Sequence, residues 1–294
     1  MVCPVCSSDS SQFYLRVKDF TVSTNYFELN RCSECAFIFT KDPPGKDAIG
    51  KYYKSNEYIS HTDSSKGWMN KVYQLVRNFT ILQKIQLLKK YTGLQSGNLL
   101  DYGCGTGAFL QHAQHTGWEV TGIEPDEIAM KRASDLTGKE IYAPHELAEL
   151  PNTAFDVITL WHVLEHVHDL HATIEQFKRI LKKHGILVIA VPNHFSWDAK
   201  YYQEYWAAYD VPRHLYHFDP VTIDILLSKH GFNRKAIKPM WFDSFYVALL
   251  SEKYKQGKTN PLVALFIGLV SNIQAIFQSG TCSSQIYIYK RDIN

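Results

Sequence analysis

The sequence predicts an α/β fold, in which a largely parallel sheet carries helices on both faces and is preceded by a small metal-bound domain. From residue 98 onward, short apolar segments alternate with helical ones, which is typical of a parallel sheet with helical crossovers. Four of the six cysteines form two Cys-x-x-Cys pairs within the first 35 residues, a pattern typical of metal sites. The 294-residue chain is 45% hydrophobic and 20% charged, so it can build a packed core.

The overall charge and the N-terminal segment exclude several classes of protein. Lys and Arg number 31 against 29 Asp and Glu, whereas a protein that holds nucleic acid through its phosphates usually has a larger basic excess. The first ten residues, MVCPVCSSDS, lack the basic and apolar regions of a secretory signal. No uncharged apolar run reaches the roughly 20 residues that a membrane-spanning helix needs. We therefore expect a soluble, cytoplasmic protein.

Residues 1–45 are predicted to form a zinc-ribbon-like domain. Two Cys-x-x-Cys pairs can place four thiolates on one tetrahedral ion, and the ligands are Cys3, Cys6, Cys32 and Cys35. Zinc is the usual ion of such a site, and iron in a rubredoxin-like site is the rival. Four sulfur ligands leave no open position, so the predicted role is structural. The segment has four basic and five acidic residues, and its net charge of −1 disfavours phosphate binding.

Residues 46–92 are predicted to be a linker and lid helices. A Pro- and Gly-rich break, KDPPGKDAIG at 41–50, marks the boundary. Apolar residues recur at helical spacing from about Lys66 to Tyr91, and this helix carries six basic residues and no acidic one. Two interpretations stay open: the helix is a lid packed over the ligand site, or it touches an acidic surface such as a membrane.

A glycine-rich loop follows the first strand of the predicted parallel sheet. Gly103, Gly105 and Gly107 alternate there, and glycine permits positive φ and a close approach of the backbone to a ligand. The next helix offers free N–H groups at its start. Asp101 lies inside the strand, where its carboxylate can take an ammonium group or orient the loop. Glu124 ends the next strand, where a carboxylate can accept both ribose hydroxyls of a nucleoside. The loop also fits the loose dinucleotide fingerprint, so an NAD dehydrogenase is a distant option.

Five segments in order carry a family resemblance: LLDYGCGTGAFL at 99–110, GIEP at 122–125, LAELP at 147–151, FDVITLWHVLEHV at 155–167 and GILVIAVPN at 185–193. Over roughly residues 90–232 the chain resembles the class I S-adenosylmethionine-dependent methyltransferases. The resemblance implies a Rossmann-like seven-stranded sheet of order 3-2-1-4-5-7-6, with strand 7 antiparallel. It also implies a methyltransferase domain over residues 93–294 and S-adenosylmethionine as cofactor.

The resemblance also implies which residues hold the cofactor. Asp101 and the three glycines match the positions for the methionine moiety, and Glu124 matches the ribose position. Glu146 stands where the family often has Asp for the adenine amino group, a departure that affects the adenine contact. The lid interpretation of the 66–91 helix follows from the family, with Arg77 reaching the methionine carboxylate. The further cofactor residues implied are Tyr58, Cys104, Pro125, Leu147, Trp161 and His162.

The sequence His162-x-x-Glu165-His166 matches the inverted metalloprotease pattern. That chemistry needs both histidines on one helical face, whereas here the motif begins where an apolar strand ends. A strand-to-helix turn that lines the cofactor is the favoured interpretation. Some related quinone methyltransferases bind a divalent metal near this turn, so a metal role stays open.

An insert near residues 194–220 is predicted to bind the methyl acceptor, because it is rich in Tyr, Trp, His and Asp and follows the fifth strand of the sheet. The alternative is an ordinary packed insert. His214 and His217 are the predicted general bases, with His214 preferred. Arg213 is expected to bind an anionic group of the acceptor. The full set of predicted acceptor residues is Asp198, Tyr202, Trp206, Asp210, Arg213 and Tyr216.

Thr259–Tyr289 contains no charged residue. Asn260 and Pro261 are a good helix start, and an apolar stretch of about 16 residues follows, too short to span a bilayer. We expect this helix to be buried within the fold. The alternative is that part of its surface faces a homodimer partner or an apolar acceptor tail.

Together these patterns predict methyl transfer from S-adenosylmethionine to a small-molecule acceptor (a sugar, a secondary metabolite or a quinone-like compound) by in-line displacement, with a structural zinc ion in the ribbon. One alternative is an RNA methyltransferase that holds RNA with the ribbon, which the charge count disfavours. The other is a binding protein that senses the cofactor without turnover.

Overall fold

The computed structural model describes residues 2–53 and 68–292, with side chains of the second helix described from residue 75 onward. The strands are β1 Ser11–Lys18, β2 Tyr26–Cys32, β3 Ile38–Thr40, β4 Asn98–Tyr102, β5 Glu119–Ile123, β6 Ile141–Tyr142, β7 Phe155–Trp161, β8 Leu181–Pro192, β9 Tyr216–His217, β10 Phe232–Pro239 and β11 Ser284–Arg291. The α-helices are α1 Lys46–Ile49, α2 Trp68–Thr92, α3 Ala108–His115, α4 Glu127–Thr137, α5 Leu170–Ile180, α6 Trp197–Tyr202, α7 Pro220–Lys229, α8 Asp243–Gln256 and α9 Pro261–Phe277. Short 3₁₀ turns include Gly50–Tyr53, Pro144–Glu149 and Leu164–His166.

The main sheet has seven strands in the order β6-β5-β4-β7-β8-β11-β10. The five strands from β6 to β8 pair in parallel, and β11 pairs antiparallel with both of its neighbours. This order confirms the predicted fold class, including the antiparallel last strand. Strand β4 has β5 on one side and β7 on the other, so the chain reverses direction across the sheet there, and open α/β sheets bind ligands at such a point.

The core lies on both faces of this sheet. Strand β8 is buried without a break from Ile186 to Val191, as expected for a strand covered by helices on both sides. Helix α2 packs one stripe on the sheet, with Ile81, Ile85 and Leu88 at most 5% exposed. These residues are spaced by four and three positions, as on one helical face. The predicted helix is present, but Leu75, Phe79 and Leu82, which belong to the same apolar periodicity, are at least 48% exposed, so the periodicity alone did not identify the buried side.

A second sheet joins the cysteine-containing segment to the insert. Its order is β1-β2-β3-β9, and all its pairings are antiparallel. Ile38 and Phe39 of β3 pair with His217 and Tyr216 of β9. The first 40 residues and the insert therefore share one sheet, which makes the insert an extension of the ribbon.

The C-terminal helices α8 and α9 pack closely against each other. Helix α9 lies on α8 through small residues, and an added Cβ at Gly268 would come within 2.6 Å of the Phe245 ring. Its large side chains point outward: Phe266 is 62% exposed and Phe277 is 86% exposed. The expectation that this helix is buried is wrong for most of its larger residues, although Ile267 is 3% exposed, because the side that packs closely on α8 consists mainly of small residues. Among the described residues, no helix has the length and apolarity to cross a membrane.

Candidate functional site

The loop between β4 and α3 has the geometry of a cradle. Gly103, Gly105 and Gly107 all have positive φ, at 79°, 54° and 81°. An added Cβ at Gly103 would meet the Val163 side chain at 2.4 Å, and one at Gly107 would meet Ala133 at 2.9 Å. At Gly105 an added Cβ would meet nothing within 4 Å. Two glycines are thus required by packing, whereas Gly105 borders open space that a ligand can fill.

Glu124 lies directly after β5 and faces the same loop. One carboxylate oxygen accepts the Gly105 N–H at 2.8 Å, and the other accepts the Asp126 N–H at 3.1 Å. The side chain is 8% exposed, and burial raises its pKa although the backbone donors lower it. Pro125 follows it on the surface, and Cys104 is buried in the loop. The carboxylate is therefore held rigidly at the border of the open space beside Gly105.

Asp101 is buried within β4 and lies close to a lysine that the sequence reasoning missed. The Thr159 hydroxyl donates to its carboxylate at 2.6 Å. Burial raises the pKa of Asp101 to about 7, against the opposing effects of Thr159 and of Lys84. Burial also lowers the pKa of Lys84 to about 8, although Asp101 and Asp243 act to raise it. The ammonium of Lys84 lies 4.1 Å from the centre of the Trp161 ring.

Lys84 directly precedes Ile85 of the buried α2 stripe. Its position on the helix, beside that stripe, is the sequence signal that could have identified it. The predicted lid cation, Arg77, is half-exposed and lies seven residues earlier on the same helix. Tyr58 lies outside the described residues. At the adenine end, the Glu146 carboxylate accepts the Ala143 N–H at 2.6 Å, and Leu147 is buried. The Glu146 carboxylate thus caps its own turn.

The turn after β7 places a buried carboxylate among three histidines. Glu165 is fully buried, and neither of its oxygens has a hydrogen-bond partner among the described residues. His162 has a positive φ of 59°, and its Nδ1 lies 3.6 Å from Glu165. Its Nε2 lies 3.0 Å from Asp243 at the start of α8. Burial lowers the pKa of His162, but the two carboxylates outweigh that effect and raise it to about 9.

Glu165, His166 and His214 form a compact group. One ligand atom from each lies within 4.8 Å of the others, close enough to hold one cation or to share one proton. The Nδ1 atom of His166 contacts the Tyr53 hydroxyl at 3.0 Å, and burial together with His214 lowers the pKa of His166 to about 4. Only Glu165 and His166 of the motif lie in the 3₁₀ turn Leu164–His166, and His162 precedes the turn and lies outside the group. This geometry disfavours the metalloprotease interpretation, which needs two histidines on one α-helical face.

Several residues predicted to bind the acceptor are instead buried and paired with protein groups. Arg213 is 1% exposed and donates to Asp210, to Asp19 at 3.2 Å and to the Tyr52 carbonyl at 2.8 Å. The Asp198 carboxylate accepts from the Trp206 indole at 2.8 Å and from two serine hydroxyls, those of Ser271 and Ser283. Tyr202 and Trp206 are at most 2% exposed. These side chains hold the insert together and join it to the ribbon.

The predicted bases occupy different environments. His217 is buried in β9 near Thr40, and burial holds its pKa well below the usual value, so it is poorly suited to accept a proton. His214 is 8% exposed, and its Nδ1 contacts the Ala208 carbonyl at 2.8 Å. Tyr216 contacts the His168 carbonyl at 3.4 Å. Of the two histidines, His214 is the one that shares a group with Glu165.

The four N-terminal cysteines converge on one point. The Sγ atoms of Cys3 and Cys35 are 3.6 Å apart, and those of Cys6 and Cys32 are 3.4 Å apart. All four Sγ atoms lie within 4.8 Å of one another. Zinc–sulfur bonds of about 2.3 Å in a tetrahedron require sulfur separations of about 3.8 Å. The donor set and its spacing therefore fit a single tetrahedral ion.

A groove of about 340 Å³ runs between α2 and the turn after β10. Lys84 and Asp243 lie in its wall, so the groove adjoins the Asp101 end of the glycine-loop site. Its size falls within the range of small-molecule sites. Its other lining residues include Leu87, Tyr91, Met240, Trp241, Phe242 and Ile286.

Comparison with known proteins places this site in context. Residues 73–235 match a family model described as a methyltransferase domain. A ubiquinone biosynthesis O-methyltransferase from Haemophilus ducreyi is 36% identical over 116 residues, which cover 35% of this chain and 49% of the relative. The enzyme of that name from Maricaulis maris is 33% identical over 105 residues, 33% of this chain and 41% of the relative. The chain thus spans about half the length of the curated relatives it matches.

Among solved structures, one from Galdieria sulphuraria, assigned as a sarcosine dimethylglycine methyltransferase, matches with a TM-score of 0.50 at 13% identity. The match covers 71% of this chain and 85% of that chain. At this level of identity the likeness shows the fold alone.

Proposed function

This chain belongs to the methyltransferase-domain family, and from that premise we propose that it transfers a methyl group from S-adenosylmethionine to a small-molecule acceptor. The observation that carries the proposal is the open space beside Gly105, where Glu124 accepts the Gly105 N–H, with a second buried carboxylate, Asp101, in the neighbouring strand. The family match covers more than half of the chain, whereas the curated relatives are matched over only part of their length.

Three charged side chains of the proposed cofactor site match polar groups of the ligand, namely its ribose hydroxyls, its ammonium and its carboxylate. Glu124 is placed to accept the ribose hydroxyls at the end of β5. Asp101 attracts the ammonium of the methionine moiety, and the Lys84 ammonium attracts its carboxylate, because both side chains lie in the same buried region. Gly105 lets the backbone approach the ligand closely. When bound, S-adenosylmethionine supplies a methyl group on a positively charged sulfur.

The protein groups around the β7 turn serve alignment and proton removal. In-line transfer depends on holding the acceptor oxygen opposite the leaving sulfur, so rigid and dry surroundings supply much of the rate. We assign His214 as the base that takes the acceptor proton, with Glu165 stabilising the positive charge that His214 then carries. The compact grouping of these two side chains with His166 supports this assignment.

The acceptor class follows from the relatives and from the groove. The two matched enzymes are named for O-methylation in ubiquinone biosynthesis, and this chain is proposed to methylate a hydroxyl of a quinone-like ring. The apolar and aromatic wall of the groove beside Lys84 suits a flat ring better than a sugar. The four thiolates of the ribbon are proposed to hold a structural zinc ion.

Two measurements test the proposal. Calorimetry should detect binding of S-adenosylhomocysteine and not of NAD; tight binding of NAD with no response to S-adenosylhomocysteine would overturn it. Cell extract incubated with the purified protein and a deuterated-methyl cofactor should then yield a product with three added deuterons by mass spectrometry. Binding without any labelled product would favour a cofactor sensor, and label found in RNA would favour an RNA methyltransferase.

A further inference from the structure

Helix α9 presents most of its large side chains to solvent and mainly small ones to the protein. Phe266, Ile276 and Phe277 are 62%, 67% and 86% exposed, whereas Ala264, Gly268 and Ala275 face the interior. In the part of the chain that is described, nothing covers the outer side. The large exposed residues are Leu262, Leu265, Phe266, Leu269, Ile273, Ile276 and Phe277.

This outer side continues onto neighbouring elements. The Asn272 side chain of α9 donates to the Trp241 carbonyl at 2.8 Å, which fixes α9 beside the turn that leads into α8. The Phe242 ring of that turn lies 6.1 Å from the ring of Phe79 on α2. Leu75, Phe79 and Leu82 of α2 are all at least 48% exposed and form an outer stripe. We call this continuous surface, formed by α2, residues 239–243, α8 and α9, the apolar–basic face.

The charge of these elements separates them from the rest of the protein. Residues 68–92 and 239–277, which hold this face, contain eight basic and two acidic residues, while the remainder contains 23 basic and 27 acidic residues. One of the two acidic residues is paired and the other is buried: Asp243 lies 3.0 Å from His162, and Glu252 is 3% exposed. The near-neutral total of the chain thus conceals a strongly positive part. A second copy of the same face would be repelled by this charge.

We propose that the apolar–basic face docks on the surface of an anionic lipid bilayer. Large apolar and aromatic side chains enter the boundary between headgroups and acyl chains, and the surrounding Lys and Arg residues are attracted by the anionic lipid. Helix α9 lies along the surface, since its 17 residues carry no charge and do not span the bilayer. If the proposed function holds, docking also brings the groove beside Lys84 to the membrane, where an acceptor with an apolar tail resides.

Flotation of the full-length protein with vesicles tests the proposal. The vesicles are pure phosphatidylcholine, or a mixture of roughly three parts phosphatidylcholine and one part phosphatidylglycerol. The variant Phe266→Glu/Ile276→Glu places two charges on the apolar–basic face. The matched control is Phe13→Glu/Ile128→Glu, because Phe13 and Ile128 are 61% and 67% exposed on other elements. Circular dichroism checks that each variant is folded, and calorimetry with S-adenosylhomocysteine measures the cofactor site independently.

We expect binding to the anionic vesicles, weakened at least roughly tenfold when NaCl rises from about 0.1 M to about 0.5 M. The Phe266→Glu/Ile276→Glu variant should lose roughly tenfold or more of this affinity, and the control should keep it. No binding by the wild type, or an equal loss in the control, would overturn the proposal. Light scattering that shows a wild-type dimer abolished only by the face variant, without vesicle binding, would assign the face to self-association instead. Vesicle binding in the absence of cofactor binding would retain the proposal and remove the proposed function.

Discussion

The glycine loop and the 194–217 insert both contain residue types that are typical of ligand sites, yet the structure uses them in opposite ways. At the loop, Glu124 accepts the Gly105 N–H beside open space, and Asp101 is buried in the neighbouring strand. In the insert, Arg213 and Asp198 are buried, and their partners are other protein groups. The same kinds of side chain therefore line the proposed cofactor site in one region and form an internal scaffold in the other.

The difference has a simple physical origin. A strand end in a parallel sheet leaves its side chains at an open edge whatever the rest of the chain does. A buried polar group in an insert must find partners, and neighbouring elements that supply them convert a potential binding group into a structural one. A composition rich in polar-tipped aromatic residues therefore predicts a site less well than the position of a carboxylate at a strand end.

The largest expected effect is the loss of the metal ion from the ribbon, which belongs to the same sheet as the insert. The variant Cys32→Ser/Cys35→Ser should lose the single bound metal ion, and with it the folding free energy of the ribbon, on the order of 10 kcal/mol for a tetrahedral zinc site. Because β3 pairs with β9, hydrogen exchange should accelerate in the insert as well as in residues 2–40. Affinity for S-adenosylhomocysteine should stay within about twofold. A Cys282→Ser control should keep the metal, and an unchanged metal content in the double variant would contradict the assignment.

The next effect tests whether Arg213 is scaffold or acceptor ligand. Replacing it with methionine leaves Asp19 and Asp210 without their buried cation, and breaking such a pair costs about 3–5 kcal/mol of unfolding free energy. Denaturant unfolding measures this loss. The exposed Arg31→Met control should change stability by about 0.5 kcal/mol or less. A stable Arg213→Met protein that has lost only acceptor methylation would show that Arg213 binds the acceptor. The insert would then be a ligand site, as the glycine loop is proposed to be.

A smaller effect is expected at the cradle. Glu124→Ala removes a charged acceptor of the proposed ribose hydrogen bonds and should weaken S-adenosylhomocysteine binding by about 1.5–3 kcal/mol. Calorimetry gives the change directly. Glu127→Ala, an exposed acidic residue at the start of α4, serves as the control and should bind as the wild type does. Equal affinities for the wild type and Glu124→Ala would show that this carboxylate serves the loop alone.

The smallest effect concerns pH. Asp101, with a pKa of about 7, is ionised above that pH, and Lys84, with a pKa of about 8, is protonated below it. Both charges are proposed to attract the cofactor, so affinity for S-adenosylhomocysteine should be highest between about pH 7 and 8 and fall on either side, by about 1 kcal/mol within one pH unit. Asp101→Asn should remove the acid limb of this profile and Lys84→Met the alkaline limb. A flat wild-type profile would contradict the proposed roles of both groups.

Much of the fold was predictable because its determinants are local in the sequence. Strand and helix periodicity predicted the parallel sheet, and the family resemblance carried by five motifs implied its strand order. The two Cys-x-x-Cys pairs predicted that Cys3, Cys6, Cys32 and Cys35 meet, which the spacing of their sulfurs bears out. In the glycine loop, the glycine conformation and the positions of carboxylates near strand ends depend on the local backbone. Asp101, Gly105 and Glu124 could therefore be predicted as site residues from the sequence alone.

Only the tertiary structure decided which polar side chains pair with other protein groups and which helix faces stay exposed to solvent. Lys84 gains its importance from its contact with Trp161 and its proximity to Asp101, residues remote in sequence. Glu165 meets His214 across 49 positions of the chain. Arg213 pairs with Asp19, which is remote in sequence, and α9 turns most of its large residues outward because it approaches Phe245 of α8 closely at Gly268. Burial and pairing depend on distant elements, and no local pattern records them.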